Sequence, residues 1–128
     1  MNRSLITLAA AIAGIVATKP DDTGELPALN LDDHDTTMHL SRGEAFTIKL
    51  EGNPSSGFTW AVTDFDPTVL TPLGEPRFTP SGRLMGGGTT RFRFAAEQSG
   101  ETTVVLSYRR PWNPGAPLQT FRVRVVVD

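Results

Sequence analysis

A chain of 128 residues, 38% hydrophobic and 20% charged, is long enough for one domain around one core and too apolar to remain unfolded throughout. Its formal charge of −2, with both signs interspersed, offers no basic field for a phosphate backbone, which argues against nucleic acid as a partner. Ten prolines and twelve glycines interrupt helices and favour turns between short strands, so composition alone points to an all-β fold.

Residues 1–17 carry the pattern of a secretory signal peptide: Arg3 supplies a positive start, Leu5 to Ala17 an apolar run, and small residues close it. At 13 residues the run is shorter than the ~20 that cross a bilayer as a helix, so cleavage near Ala17 or Thr18 is expected over retention as an anchor. The mature chain is then expected in the periplasm or outside the cell, as a monomer with no stable membrane insertion. No cysteine is present, so packing must hold the fold without a disulfide. Residues 18–36 are polar, acidic and aperiodic, and read as a flexible leader. Asp32, Asp33, His34, Asp35 and His39 offer metal-donor types, but neighbours on a loose segment do not close a cage, and the expectation is a solvated linker with no metal and no cofactor.

From residue 37 to residue 128 the pattern turns to period two, which sends alternate side chains to opposite faces of a sheet. Met38 and Leu40 begin it. Phe46, Ile48 and Leu50 alternate with Thr47, Lys49 and Glu51, and Phe58, Trp60 and Val62 with Thr59, Ala61 and Thr63. Prolines 67, 72, 76 and 80 confine any strand near Val69–Leu73 or Arg77–Thr79 to a short edge piece. Phe92, Phe94 and Ala96 follow, then Val104, Leu106 and Tyr108, then Phe121, Val123, Val125 and Val127. About seven strands with short, antiparallel connections predict an immunoglobulin-like Greek-key sandwich, with Trp60 in its core.

Three connections are unlike ordinary turns: Asn53, Pro54, Ser55, Ser56 and Gly57 between the second and third strands, Gly86, Gly87 and Gly88 between the fourth and fifth, and Arg110, Pro111 and Trp112 between the sixth and seventh. Strands that alternate in direction put even-numbered connections at one end, so the three are expected side by side, on the plan of antibody loops. Pro54 bars Asn53 from helix, and Asn53 with the serines can bond nearby backbone, so the first loop is expected to be ordered before any partner arrives. The glycines lack a Cβ and would let a partner backbone come close. Trp112, between Pro111 and Pro114, is either an exposed anchor of the kind that dominates interfaces or a lid folded over the sandwich end. Taken singly, the first loop also reads as a plain turn and the glycines as slack.

At these residues the chain resembles the chagasin family of cysteine protease inhibitors, whose pattern is an Asn-Pro-x-Thr-Gly loop before an aromatic and tryptophan strand, a glycine-rich loop, and an Arg-Pro-Trp loop. The corresponding residues here are Asn53 to Gly57 with Phe58 and Trp60, Met85 to Gly88, and Arg110 to Trp112, in the same order and spacing over roughly residues 36–127. The resemblance implies an immunoglobulin-like fold that blocks the cleft of papain-like proteases, with Asn53 to Gly57 at the catalytic centre and the other loops on either side. Ser56 stands where the family usually has threonine, and Met85 where its first glycine is expected; both bear on strength and target preference. An enzyme is not expected, because the two histidines lie in or near the leader and no cysteine is available as a nucleophile. The competing reading is an exported, non-inhibitory immunoglobulin-like adhesion or assembly module.

Overall fold

The period-two segments form two facing sheets in the computed structural model, which describes residues 26–82, 86–113 and 115–128. The signal peptide expected over residues 1–17, the beginning of the leader and Met85 lie outside the described residues. Among the described residues the strands are β1 (Ala28–Leu29), β2 (Thr36–Leu40), β3 (Ala45–Gly52), β4 (Thr59–Asp64), β5 (Leu70–Pro72), β6 (Arg77–Pro80), β7 (Gly88–Ala96), β8 (Gly100–Arg109) and β9 (Gln119–Val127). One sheet runs β1-β3-β7-β5, with β6 also on β7; the other runs β2-β9-β8-β4. This is the immunoglobulin-like Greek-key sandwich the alternation predicts.

The inward residues of the two sheets make the core. Phe46, Ile48 and Leu50 of β3 and Phe94 of β7 face Leu106 of β8 and Phe121 of β9, all at 0–1% exposure. Phe46 and Phe94 stack at 5.7 Å, and Phe65 meets Phe94 edge-on at 5.4 Å. Trp60 is buried as expected, and its indole N–H donates to the Glu51 carbonyl at 3.0 Å, so the polar atom of this large side chain is satisfied. The proline-rich edge resolves into two pieces of one line: β5 pairs with residues 94–96 of β7 and β6 with residues 88–91. Beside them, Asp66 accepts from the Thr68 hydroxyl at 2.7 Å and the Thr68 N–H at 2.9 Å, which holds its carboxyl below the ordinary range.

Two expectations need correction. Of the expected flexible leader, residues 28–36 are built into the fold. Leu29 is fully buried in the core, and Ala28 and Leu29 pair with Thr47 and Ile48. Asn30 then caps a 3-10 turn over Leu31–Asp33 in a capping box with Asp33, and the chain crosses to the other sheet. There the acidic cluster acts as a latch: His34 Nδ1 accepts from the Arg122 N–H at 3.0 Å, and Asp35 pairs with the Arg122 guanidinium at 3.3 Å. The second correction concerns direction, because both N-terminal strands pair parallel, β1 with β3 and β2 with β9. Splitting the N-terminal strand between the sheets covers an edge of each, which is one way a sandwich protects open edges.

Candidate functional site

Strand register decides where the three loops lie. Gly52, the last residue of β3, is opposite Gly88, the first of β7, and Thr59 at the start of β4 is opposite Arg109 at the end of β8. All three loops therefore leave the same end of the sandwich. Among the described residues the large apolar side chains left exposed, Phe78, Trp112 and Leu118, also belong to this end, on β6 and on the β8–β9 loop.

The Asn53–Gly57 loop closes on itself. Asn53 is extended, its Oδ1 accepts from the Ser55 N–H at 3.2 Å and the Ser55 hydroxyl at 2.6 Å, and Pro54 opens a 3-10 turn over Pro54–Ser56. The Ser56 hydroxyl donates to the Asn53 carbonyl at 2.6 Å and accepts from the Phe58 N–H at 3.3 Å. Gly57 ends the turn at φ 91°, a left-handed conformation that a side chain resists. From below, the Tyr108 hydroxyl accepts from the Asn53 N–H at 2.9 Å.

The other two loops are fitted to this one. A Cβ at Gly87 would run into the Gly52 carbonyl, and one at Gly88 would meet the Thr79 carbonyl and the Phe78 ring. Gly87 and Gly88 are thus bare because their own chain packs against them, a reason additional to the room they leave for a partner. On the opposite side, the Arg110 guanidinium lies 4.5 Å over the Phe58 ring. The Trp112 indole rests one edge against Gly57, where a Cβ would be 2.9 Å from Cη2, and remains 71% exposed. The indole is exposed and does not form a lid over the sandwich end.

Sequence reasoning missed the support beneath. Trp60, Tyr108 and Phe58 form a column, with ring centroids 5.0 Å and 5.5 Å apart, that carries Arg110 on top. An apolar cleft of about 310 Å³ opens beside this column, lined in part by Pro54, Phe58, Trp60, Phe78 and Tyr108. The only signal for Tyr108 was its place in the strand alternation, which marks it as core; for Leu118, it was an apolar residue stranded between Pro117 and Gln119. Among the described residues no group of three or more His, Cys, Asp or Glu side chains is placed to hold a metal ion.

A rigid sandwich with three interlocked tips and exposed aromatic and basic groups defines a binding protein rather than a catalyst. Residues 39–125 match the family model described as Chagasin family peptidase inhibitor I42, and the chain belongs to that family. It is 34% identical over 101 residues to amoebiasin-1 of Entamoeba histolytica, covering 79% of this chain and 99% of the relative. Chagasin of Trypanosoma cruzi is 31% identical over 93 residues, 68% of this chain and 84% of that one. Among solved structures, PbICP-C in complex with falcipain-2 matches with a TM-score of 0.59 and 26% identity, over 79% of this chain and 98% of that one. The chain is an inhibitor of papain-like cysteine proteases and not an enzyme.

Proposed function

We propose that Asn53–Gly57, Gly86–Gly88 and Arg110–Trp112 act as one wedge in the active-site groove of a papain-like cysteine protease. The first tip enters at the catalytic centre and the other two lie against opposite walls. The observation that carries this reading is the interlocking of the tips: Gly87 against Gly52, and Trp112 against Gly57.

The first tip has the chemistry of an occupant that is not cut. Such grooves hold a cysteine thiolate beside a protonated histidine and receive substrate as extended chain. Residues 54–56 are instead coiled in a 3-10 turn, with the Ser56 N–H on the Asn53 carbonyl at 3.0 Å and the Gly57 N–H on the Pro54 carbonyl at 2.9 Å. Presenting a peptide bond to the thiolate would mean opening that turn. Both serine hydroxyls donate inward, to Asn53, so they face a partner as acceptors and suit an imidazolium donor. Titrating the mature domain into a papain-like protease assay tests the proposal: hydrolysis unchanged at micromolar inhibitor rejects it, as does cleavage within residues 53–57.

The same proposal places the chain outside the cytoplasm. The charged start, apolar run and small residues of 1–17 support export. Fractionation with N-terminal sequencing of the mature protein checks this, and an intact Met1 in the cytoplasmic fraction contradicts it.

A further inference from the structure

The outward faces of the two sheets place their cations differently. On the β2-β9-β8-β4 sheet, Arg122 is paired with Asp35 and Arg124 with Glu101, and Arg109, without an ion pair among the described residues, sits opposite Thr59. On the other sheet, β3, β7 and β6 bring Lys49, Arg91 and Arg77 into one row: Lys49 is the register partner of Arg91, and Arg91 of Arg77. Arg93 projects from the same face one step behind. Among the described residues none of these four cations has an ion-pair partner. The carboxylate that shares the face on these strands is Glu51, opposite Thr89, and it too has no ion-pair partner among the described residues.

Like charges directly opposite one another on neighbouring strands repel across roughly 5 Å, so the row costs the free domain stability. It lies three residues behind Gly88, about 10 Å from the tip at the usual strand rise. The Arg91 guanidinium donates to the Thr79 hydroxyl at 2.7 Å, which turns its head toward the loop end. A wedge that lodges the Gly86–Gly88 tip against one wall of a groove turns this face toward that wall.

We infer that the row of Lys49, Arg91 and Arg77 is a second contact surface, which docks against carboxylates on the protease wall beside the Gly86–Gly88 tip and draws acidic proteases into the complex. The inference rests on the three-tip reading above. Continuity with the tip and complementary charge select the occupant, and cations that are register partners of one another on this sheet make the interaction one-sided. Surfaces of this kind act mainly on the association rate, raising it by about ten- to a thousandfold at low salt.

The test measures association and dissociation rates of the mature domain against a panel of purified papain-like cysteine proteases spanning acidic to basic isoelectric points, in low and high salt. Wild-type protein should associate fastest with the acidic enzymes, and added salt should shrink the spread. The Lys49→Gln/Arg77→Gln/Arg91→Gln protein should lose at least tenfold of association rate with the acidic enzymes, keep its dissociation rates, and melt at a higher temperature because the repulsion is gone. Single Lys49→Gln gives the same direction in smaller measure if the triple protein does not fold, and the salt dependence of the wild type needs no variant. Rates indifferent to protease charge and to these substitutions overturn the inference while leaving the wedge intact. Retention of wild type on heparin, without any charge ranking among proteases, also overturns it and points to a polysaccharide. Failure to inhibit any member of the panel sinks the wedge itself, and the inference with it.

Discussion

The Asn53–Gly57 and Arg110–Trp112 tips stand side by side and are held in opposite ways. The first is closed by its own polar groups, with the Asn53 side chain and carbonyl receiving both serine hydroxyls. The second has fewer bonds of its own, Asn113 N–H to the Arg110 carbonyl at 3.0 Å and Gly115 N–H to Asn113 Oδ1 at 3.2 Å, and its Arg110 and Trp112 lean on the first, over Phe58 and against Gly57. A tip ordered in advance loses little freedom on docking, whereas a leaning tip is ordered only while its support stays in place. Damage should therefore spread from the first tip to the second and not back.

The largest effect is expected where the two touch. Gly57→Ala forces a side chain into the left-handed region, a strain of about 1–3 kcal/mol. Its Cβ would also lie 2.9 Å from Trp112 Cη2, so the indole has to move. The inhibition constant should rise on the order of a hundredfold, about 2.7 kcal/mol, with a lower urea midpoint. Gly57→Asn sharpens the result, because asparagine tolerates the backbone yet still carries the Cβ: stability should largely return while inhibition stays poor. Recovery of both would show that the indole contact is dispensable.

Trp112→Ala attacks the leaning tip alone. Loss of an exposed anchor should weaken binding by about 1–3 kcal/mol. With the side chain 71% exposed, the unfolding midpoint should not move, and amide exchange at Ser55 to Gly57 should match the wild type. Faster exchange there would mean that the second tip supports the first, the reverse of the proposed dependence.

How much of this was readable in the residues depends on range. The strands from Met38 onward declare themselves by alternation, and proline and glycine mark the three loops, because both signals are local. Parity of connections then brings the loops together without knowledge of the core. What escaped was non-local or short. Ala28 and Leu29 pair over two residues, too few for a period to show. The acidic run around His34 looks like solvated linker until Arg122 is brought beside it from the far end of the chain. The bareness of Gly87 and Gly88 suggested space for a visitor, and only the fold reveals the chain's own atoms facing it.

A smaller effect should follow from Asn53→Ala, which removes the acceptor for the Ser55 N–H and hydroxyl. Loss of such a cap costs about 1 kcal/mol of stability. Because the loosened tip carries Trp112, binding should fall by about tenfold, or 1.4 kcal/mol, as read by inhibition titration. Unchanged inhibition would mean that the turn closes without its cap.

The smallest expected change tests the direction of dependence most directly. Tyr108→Phe keeps the ring between Trp60 and Phe58 and deletes only the oxygen that accepts from the Asn53 N–H at 2.9 Å. A lost hydrogen bond of this kind costs about 0.5–1.5 kcal/mol, toward the lower figure where water can reach the freed N–H, as it can at a half-buried site. Binding should fall less than tenfold. If the first tip carries the second, part of that loss is felt through Trp112, so Tyr108→Phe should cost less in a Trp112→Ala background than in the wild type. A coupling of about 0.5 kcal/mol or more in a double-mutant cycle is expected. Strict additivity would mean that the tips are held independently, and that their contact at Gly57 is adjacency without support.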